Sequence, residues 1–183
     1  VTAVEGEGGG VGSVVVRPAE AADLGGLASI ERAAGERFRD VGLAAVADDE
    51  PLPVEVLARA ADEGRAWVAE LGGTVVGYAV GARLAGDPPQ HHLEQVSVVP
   101  AAGGRGVGVA LVEAVVAWAQ ADGGASLTLT TFTTVPWNGP WYRRLGFEVV
   151  DANRLAGALA AVVAHEATLG LDPSTRSVMR RCW

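Results

Sequence analysis

Stretches of alternating, helical and β-branched apolar patterning succeed one another along the chain and predict its elements. Val14 to Val16 form a β-branched run, and Leu24, Leu27, Ile30, Ala34 and Phe38 follow at the spacing of one helix face, so a strand and then a helix are predicted. A second helix is predicted from Pro53 to about Glu63, because proline suits a first helical turn and Val56, Leu57 and Ala60 share a face; Gly64 ends it. Ala66 to Leu71 and Thr74 to Leu84 read as two strands, and the Gly72-Gly73 pair between them has the composition of a two-residue hairpin turn. Beyond the Asp87-Pro88-Pro89 loop, His92 to Val99 reads as a strand that stops at Pro100. A helix from about Gly104 to Ala121 follows, with Val107, Leu111, Val115 and Trp118 on one face. A strand at Ser126 to Thr133, a short helix around Trp137 to Leu145, a strand at Phe147 to Val150 and a last strand at Ser177 to Arg181 complete the order. Between the last two strands, Arg154 to Leu169 reads as an amphipathic helix that either packs on the core or covers a binding cleft. Its apolar side near Leu159 also offers a surface for a homodimer.

Antiparallel hairpins flanking one strand-helix crossover point to an α+β fold, with a mixed, mostly antiparallel central sheet flanked by helices. Residues 1–12 are glycine-rich and lack apolar periodicity, so a flexible leader is expected there and a single domain over 13–183.

Composition narrows the chemistry. The 183 residues are 49% hydrophobic, enough for one sizeable core. With 14 basic against 22 acidic residues, the net charge of −8 argues against nucleic acid as a partner and favours neutral or cationic substrates. All 14 basic residues are arginine, which excludes a lysine Schiff base and a lysine phosphate clamp. The one cysteine, Cys182, permits no intrachain disulfide and suits a reducing cytoplasm. Arg105, Glu113 and Gln120, or His165 and Glu166, interrupt the longest apolar helices, so a soluble cytoplasmic protein without a membrane span is expected.

The run Val98-Val99-Pro100-Ala101-Ala102-Gly103-Gly104-Arg105-Gly106-Val107-Gly108 puts four glycines where a strand hands over to a helix. Free N–H groups at a helix start can point at a phosphate, and glycines let it approach the backbone closely. A dinucleotide fingerprint would need glycine three residues after Gly106, where Val109 stands, and a Walker loop needs the absent lysine.

The same residues resemble the GNAT superfamily of acyl-CoA-dependent N-acyltransferases, whose motif is Gln/Arg-x-x-Gly-x-Gly/Ala after a strand ending in Val-x-Pro. Gly106, Val107 and Gly108 fill its last three places, with Val98 and Pro100 correctly spaced before them, while Gly103 departs from the pattern at the first place. Downstream, Tyr142, Gly146 and Phe147 match the superfamily's Tyr-x-x-x-Gly-Phe ending. The resemblance implies a GNAT-like fold and acetyl-CoA as acyl donor to an amine, either a small molecule or a protein N-terminus. It also implies that Val96, Ser97 and Val98 run along the pantetheine arm and that Gly104, Arg105, Gly106, Val107, Gly108 and Val109 receive the pyrophosphate.

Attack of an amine on a thioester expels a thiolate, which a phenol can protonate, and Tyr142 is the candidate acid. Asn138, one helical turn before it, is either a pantetheine contact or the N-cap of that helix. The amine must shed a proton, and Glu94 is the candidate base because plain alternation puts it on the side of Val96 and Val98. A bulge in that strand would favour Gln95 or Ser97 instead. His91 and His92 alternate in direction, so they do not share a metal; they read as solvent-exposed loop histidines, or one of them deprotonates the amine through water. The acidic group Asp48-Asp49-Glu50 either attracts a cationic amine or is a solvated loop.

Overall fold

Gly72 and Gly73 adopt φ of +58° and +78°, backbone that glycine enters freely, and so turn strand β2 (Ala66–Leu71) directly into β3 (Thr74–Leu84), pairing Leu71 with Thr74. This hairpin is the centre of the first half of a seven-stranded sheet. The computed structural model describes residues 13–86 and 89–183; the expected leader 1–12, and Asp87 and Pro88 of the proline loop, lie outside the described residues. Strand order is β1-β2-β3-β4-β5-β7-β6, with β1 at Val14–Pro18, β4 at Gln90–Val98, β5 at Ser126–Phe132, β6 at Glu148–Val149 and β7 at Arg176–Cys182. Among the described residues β4 and β5 run parallel and the other neighbouring pairs are antiparallel.

Two apolar clusters cover the two faces of the sheet. On one face, helix α4 (Val107–Ala121) buries Val107, Leu111, Val112 and Val115 against Trp67, Ala69, Ala79, Leu93 and Leu129. On the other, α1 (Leu24–Gly35) and α3 (Val54–Asp62) bury Leu27, Ile30, Leu57 and Ala60 against Val68, Tyr78 and Val80. The helical face predicted through Phe38 is shorter than expected: α1 ends at Gly35, a 3-10 turn covers Glu36–Val41, and a four-residue helix α2 (Ala44–Ala47) follows. α4 starts at Val107 rather than near Gly104, because Gly104 and Gly106 take φ of +74° and +81° and form a turn instead of helix. Two further helices, α5 (Gly139–Arg144) and α6 (Gly157–Thr168), lie inside the ranges read from the sequence.

α6 answers the question posed by its amphipathic pattern. Leu159 is buried within its own chain, and Nε and Nη2 of Arg176 in β7, one edge of its guanidinium, donate to the two carboxylate oxygens of Glu166. Beneath the helix lies a mostly apolar cavity of about 270 Å³ lined by Val149, Leu155, Val163, Leu171 and Val178. Among the described residues no helix is long and apolar enough to cross a membrane.

Candidate active site

The two halves of the sheet meet at only two rungs, His91↔Leu127 and His92↔Thr128, after which β4 and β5 part. The β4 edge beyond His92 is therefore open. The Val99 N–H donates to the Val76 carbonyl at 2.9 Å, and backbone groups alternate sides along a strand. It follows that the N–H groups of Ser97 and Val99 serve β3, while those of Val96 and Val98 face the gap.

A bulge sets the side chains of this edge. Val80 pairs with Gln95 but Gly81 pairs with Leu93, so Glu94 is the extra residue and the alternation resets there. Leu93, Val96 and Val98 join the α4 cluster, whereas Gln95 reaches Glu31 of α1 on the opposite face. Plain alternation put Glu94 beside Val96 and Val98; the bulge overturns that. Glu94 instead lines a charged cavity of about 340 Å³ with Glu55, Arg59, Arg65 and Arg83, on the α3 side of the sheet. The walls of that cavity partly desolvate its carboxyl and push its pKa up, and Arg65 opposes the shift.

The glycine turn closes the cleft on the α4 side. Gly103, Gly104, Arg105 and Gly106 are exposed, and the N–H groups that open α4 at Val107, Gly108 and Val109 have no intrahelical partner. A methyl group on Gly108 would stand 3.3 Å from Cζ2 of Trp141 and 3.9 Å from Cγ2 of Val98. Strand edge, glycine turn and the helix that carries Tyr142 thus meet at one point.

Tyr142 is buried at 7% exposure, edge-on to Trp141 and Phe147 with ring centroids 4.8 and 5.7 Å away. Burial pushes its phenol well above the ordinary tyrosine value, so it holds its proton. Asn138 occupies the N-cap position of α5, but its side chain caps nothing: Nδ2 donates to Thr131 Oγ1 at 2.9 Å, and Oδ1 is buried without a partner. The capping role is thereby excluded. An orphaned buried acceptor at the far wall of the cleft suits an amide N–H such as those of a pantetheine arm.

The opposite face of the cleft is polar. Glu31 accepts hydrogen bonds from the Tyr78 hydroxyl, from Gln95 Nε2 and, at 3.1 Å, from the Leu52 N–H. This hub escaped the sequence reading, in which Glu31 is one more polar position beside Ile30. The histidines read as exposed are both buried, at 2% and 4% exposure, because β4 begins two residues earlier than predicted and takes them into the sheet. His91 Nε2 lies 2.7 Å from Asp122, and His92 Nδ1 lies 2.9 Å from Thr128 Oγ1. Burial first, and then Arg176, push His92 down to about 4. The acidic loop is tied up locally, with Asp48 paired to Arg39 and Glu50 to Arg32.

A mixed sheet whose central strands part over a glycine-led helix defines an N-acetyltransferase architecture. The chain belongs to the acetyltransferase (GNAT) family, whose pattern matches residues 28–147. Solved structures carry the likeness over most of the fold. N-acetylglutamate synthase from Neisseria gonorrhoeae, complexed with coenzyme A and N-acetyl-glutamate, is 19% identical with a TM-score of 0.68, across 93% of this chain and 35% of that one. This chain therefore spans about a third of that protein. The PaiA N-acetyltransferase from Thermoplasma acidophilum, in complex with coenzyme A, is 15% identical with a TM-score of 0.67, over 93% of this chain and 99% of that one. A GNAT family acetyltransferase from Brucella melitensis, in complex with acetyl-CoA, is 25% identical with a TM-score of 0.54, over 74% of this chain and 83% of that one.

Proposed function

We propose that this protein transfers the acetyl group of acetyl-CoA directly to a primary amine, on a small molecule or a protein N-terminus. The observation that carries this reading is the parting of β4 and β5 after two rungs with the open N-terminus of α4 beside it. Acetyl-CoA, when bound, supplies a thioester carbon activated toward amines; the chain supplies the rest. The N–H groups at Val107 to Val109 and the exposed glycine turn would hold the pyrophosphate, and the Val96 to Val98 edge and Asn138 Oδ1 the pantetheine arm. Relatives crystallised with coenzyme A or acetyl-CoA support the choice of donor.

In the transfer, the amine nitrogen bonds to the acetyl carbon, the carbon–sulfur bond breaks, and the leaving thiolate takes the Tyr142 proton. Glu94 takes the proton that the nitrogen loses, through water in its open cavity, and solvent restores both groups. A carbonyl oxygen gains charge on the way, and the strand N–H groups that face the gap are the donors available to it.

Calorimetric titration with acetyl-CoA, CoA and NAD, followed by an assay of thiol release with a panel of amines, tests the reading. Binding of both CoA species but not NAD, with amine-dependent release, is the expected result. Failure of the folded protein to bind either CoA species would overturn it, and binding with no turnover on any amine would reduce the protein to a CoA-binding module.

A further inference from the structure

One donor in the gap is already taken. The Val96 N–H, which faces away from β3 into the opening, is met at 3.0 Å by Oε1 of the neighbouring residue, Gln95. The other end of that carboxamide is tethered, since Nε2 donates to Glu31, and Glu31 is fixed in turn by Tyr78 and the Leu52 N–H. Gln95 reaches this position because it directly follows the bulged Glu94, which turns its side chain onto the α1 face. An amide held at both ends gives the strand donor a partner of the same chemical kind as an ester or thioester carbonyl.

We infer that Gln95, anchored by Glu31, is a positioning residue that stands in for the thioester carbonyl on the Val96 N–H and so sets how well the protein tells acetyl-CoA from CoA. Free CoA has no acyl carbonyl and leaves the amide in place. Acetyl-CoA must displace the amide before its carbonyl can use that donor. The inference rests on the proposed function, and the test separates the two.

Gln95→Leu keeps the side chain's bulk but removes the competitor, leaving the Val96 N–H to water, which is displaced more easily than a tethered amide. The measurement is the ratio of the CoA and acetyl-CoA dissociation constants, by calorimetry, in the parent protein and in Gln95→Leu. Gln95→Ala serves as the second variant if the first does not fold. The ratio should shift toward acetyl-CoA by about fivefold, the worth of one hydrogen bond. A purely structural Gln95 would change both affinities together, so an unchanged ratio, or one moved toward CoA, overturns the inference while the proposed function stands. If the parent binds neither CoA species, both fall together.

Discussion

His92 and Thr128 form the last rung between the two halves of the sheet, and their hydrogen bond fixes where the imidazole carries its proton. Thr128 Oγ1 donates its only hydrogen to the His91 carbonyl at 3.0 Å, so the 2.9 Å contact with His92 Nδ1 has the ring as donor. Nδ1 therefore carries a proton, and burial, which disfavours the charged ring, leaves Nε2 without one near neutral pH. Arg176 of β7, itself paired with Glu166 of α6, is the charged group that acts on the ring and disfavours a second proton there.

This has a consequence for acid stability. His92 moves from an ordinary 6.5 down to about 4 on folding, so between those values the unfolded chain binds more protons and the fold loses stability as pH falls. The loss should reach about 3 kcal/mol by the lower end of the window. Urea unfolding at pH 7 and pH 4.5 should show a smaller drop for His92→Gln than for the parent; equal drops would assign the acid sensitivity to other groups.

Replacement of Gly108 by valine should disable the cofactor site. The contact that a Cβ makes with Trp141 at 3.3 Å is tighter than packed side chains normally tolerate, and two further methyl groups force the ring and α5 outward. Overpacking of this kind costs about 1–3 kcal/mol. Thermal unfolding and titration with CoA should show lower stability together with loss of binding, and unaltered CoA affinity would separate α5 from the site.

Tyr142→Phe should lower kcat by roughly 100-fold while leaving acetyl-CoA affinity nearly unchanged, because the ring packing against Trp141 and Phe147 survives and only the proton donor is lost. Single-turnover thiol release beside calorimetry checks this. Parallel losses of rate and affinity would make the phenol a packing residue.

For Glu94, the raised carboxyl pKa places the acid limb of the kcat/KM profile above the ordinary glutamate value, with activity falling as pH drops and the base takes up its proton. Glu94→Gln should remove that limb along with most of the rate. A profile whose limb persists in the variant would pass the role to another group.

What the sequence made legible is what neighbouring residues decide. The Gly72-Gly73 turn and the short helix of the Tyr-x-x-x-Gly-Phe segment are local and appear where their patterns put them, while α4 starts three residues later than read because Gly104 and Gly106 form a turn. A bulge in β4 was open as an alternative, but its presence and its place at Glu94 exist only relative to β3, as two residues of one strand set against one of the other. The Glu31 hub was hidden for the same reason, its donors lying 47, 64 and 21 residues away in sequence. Both histidines were misjudged because two adjacent polar rings after a proline loop look like surface, whereas the parallel rungs with Leu127 and Thr128, and Trp118 against His91, take them into the core.

The two-rung junction also bears on how long the folded chain lasts. Past His92↔Thr128 the halves of the sheet have no ladder between them, so whatever lodges in the opening acts as a splint that bridges them. A ligand at a hundred times its dissociation constant adds about 2.7 kcal/mol to such a fold. Acetyl-CoA lodged across the opening should therefore slow both unfolding and proteolysis, in proportion to how fully the site is occupied.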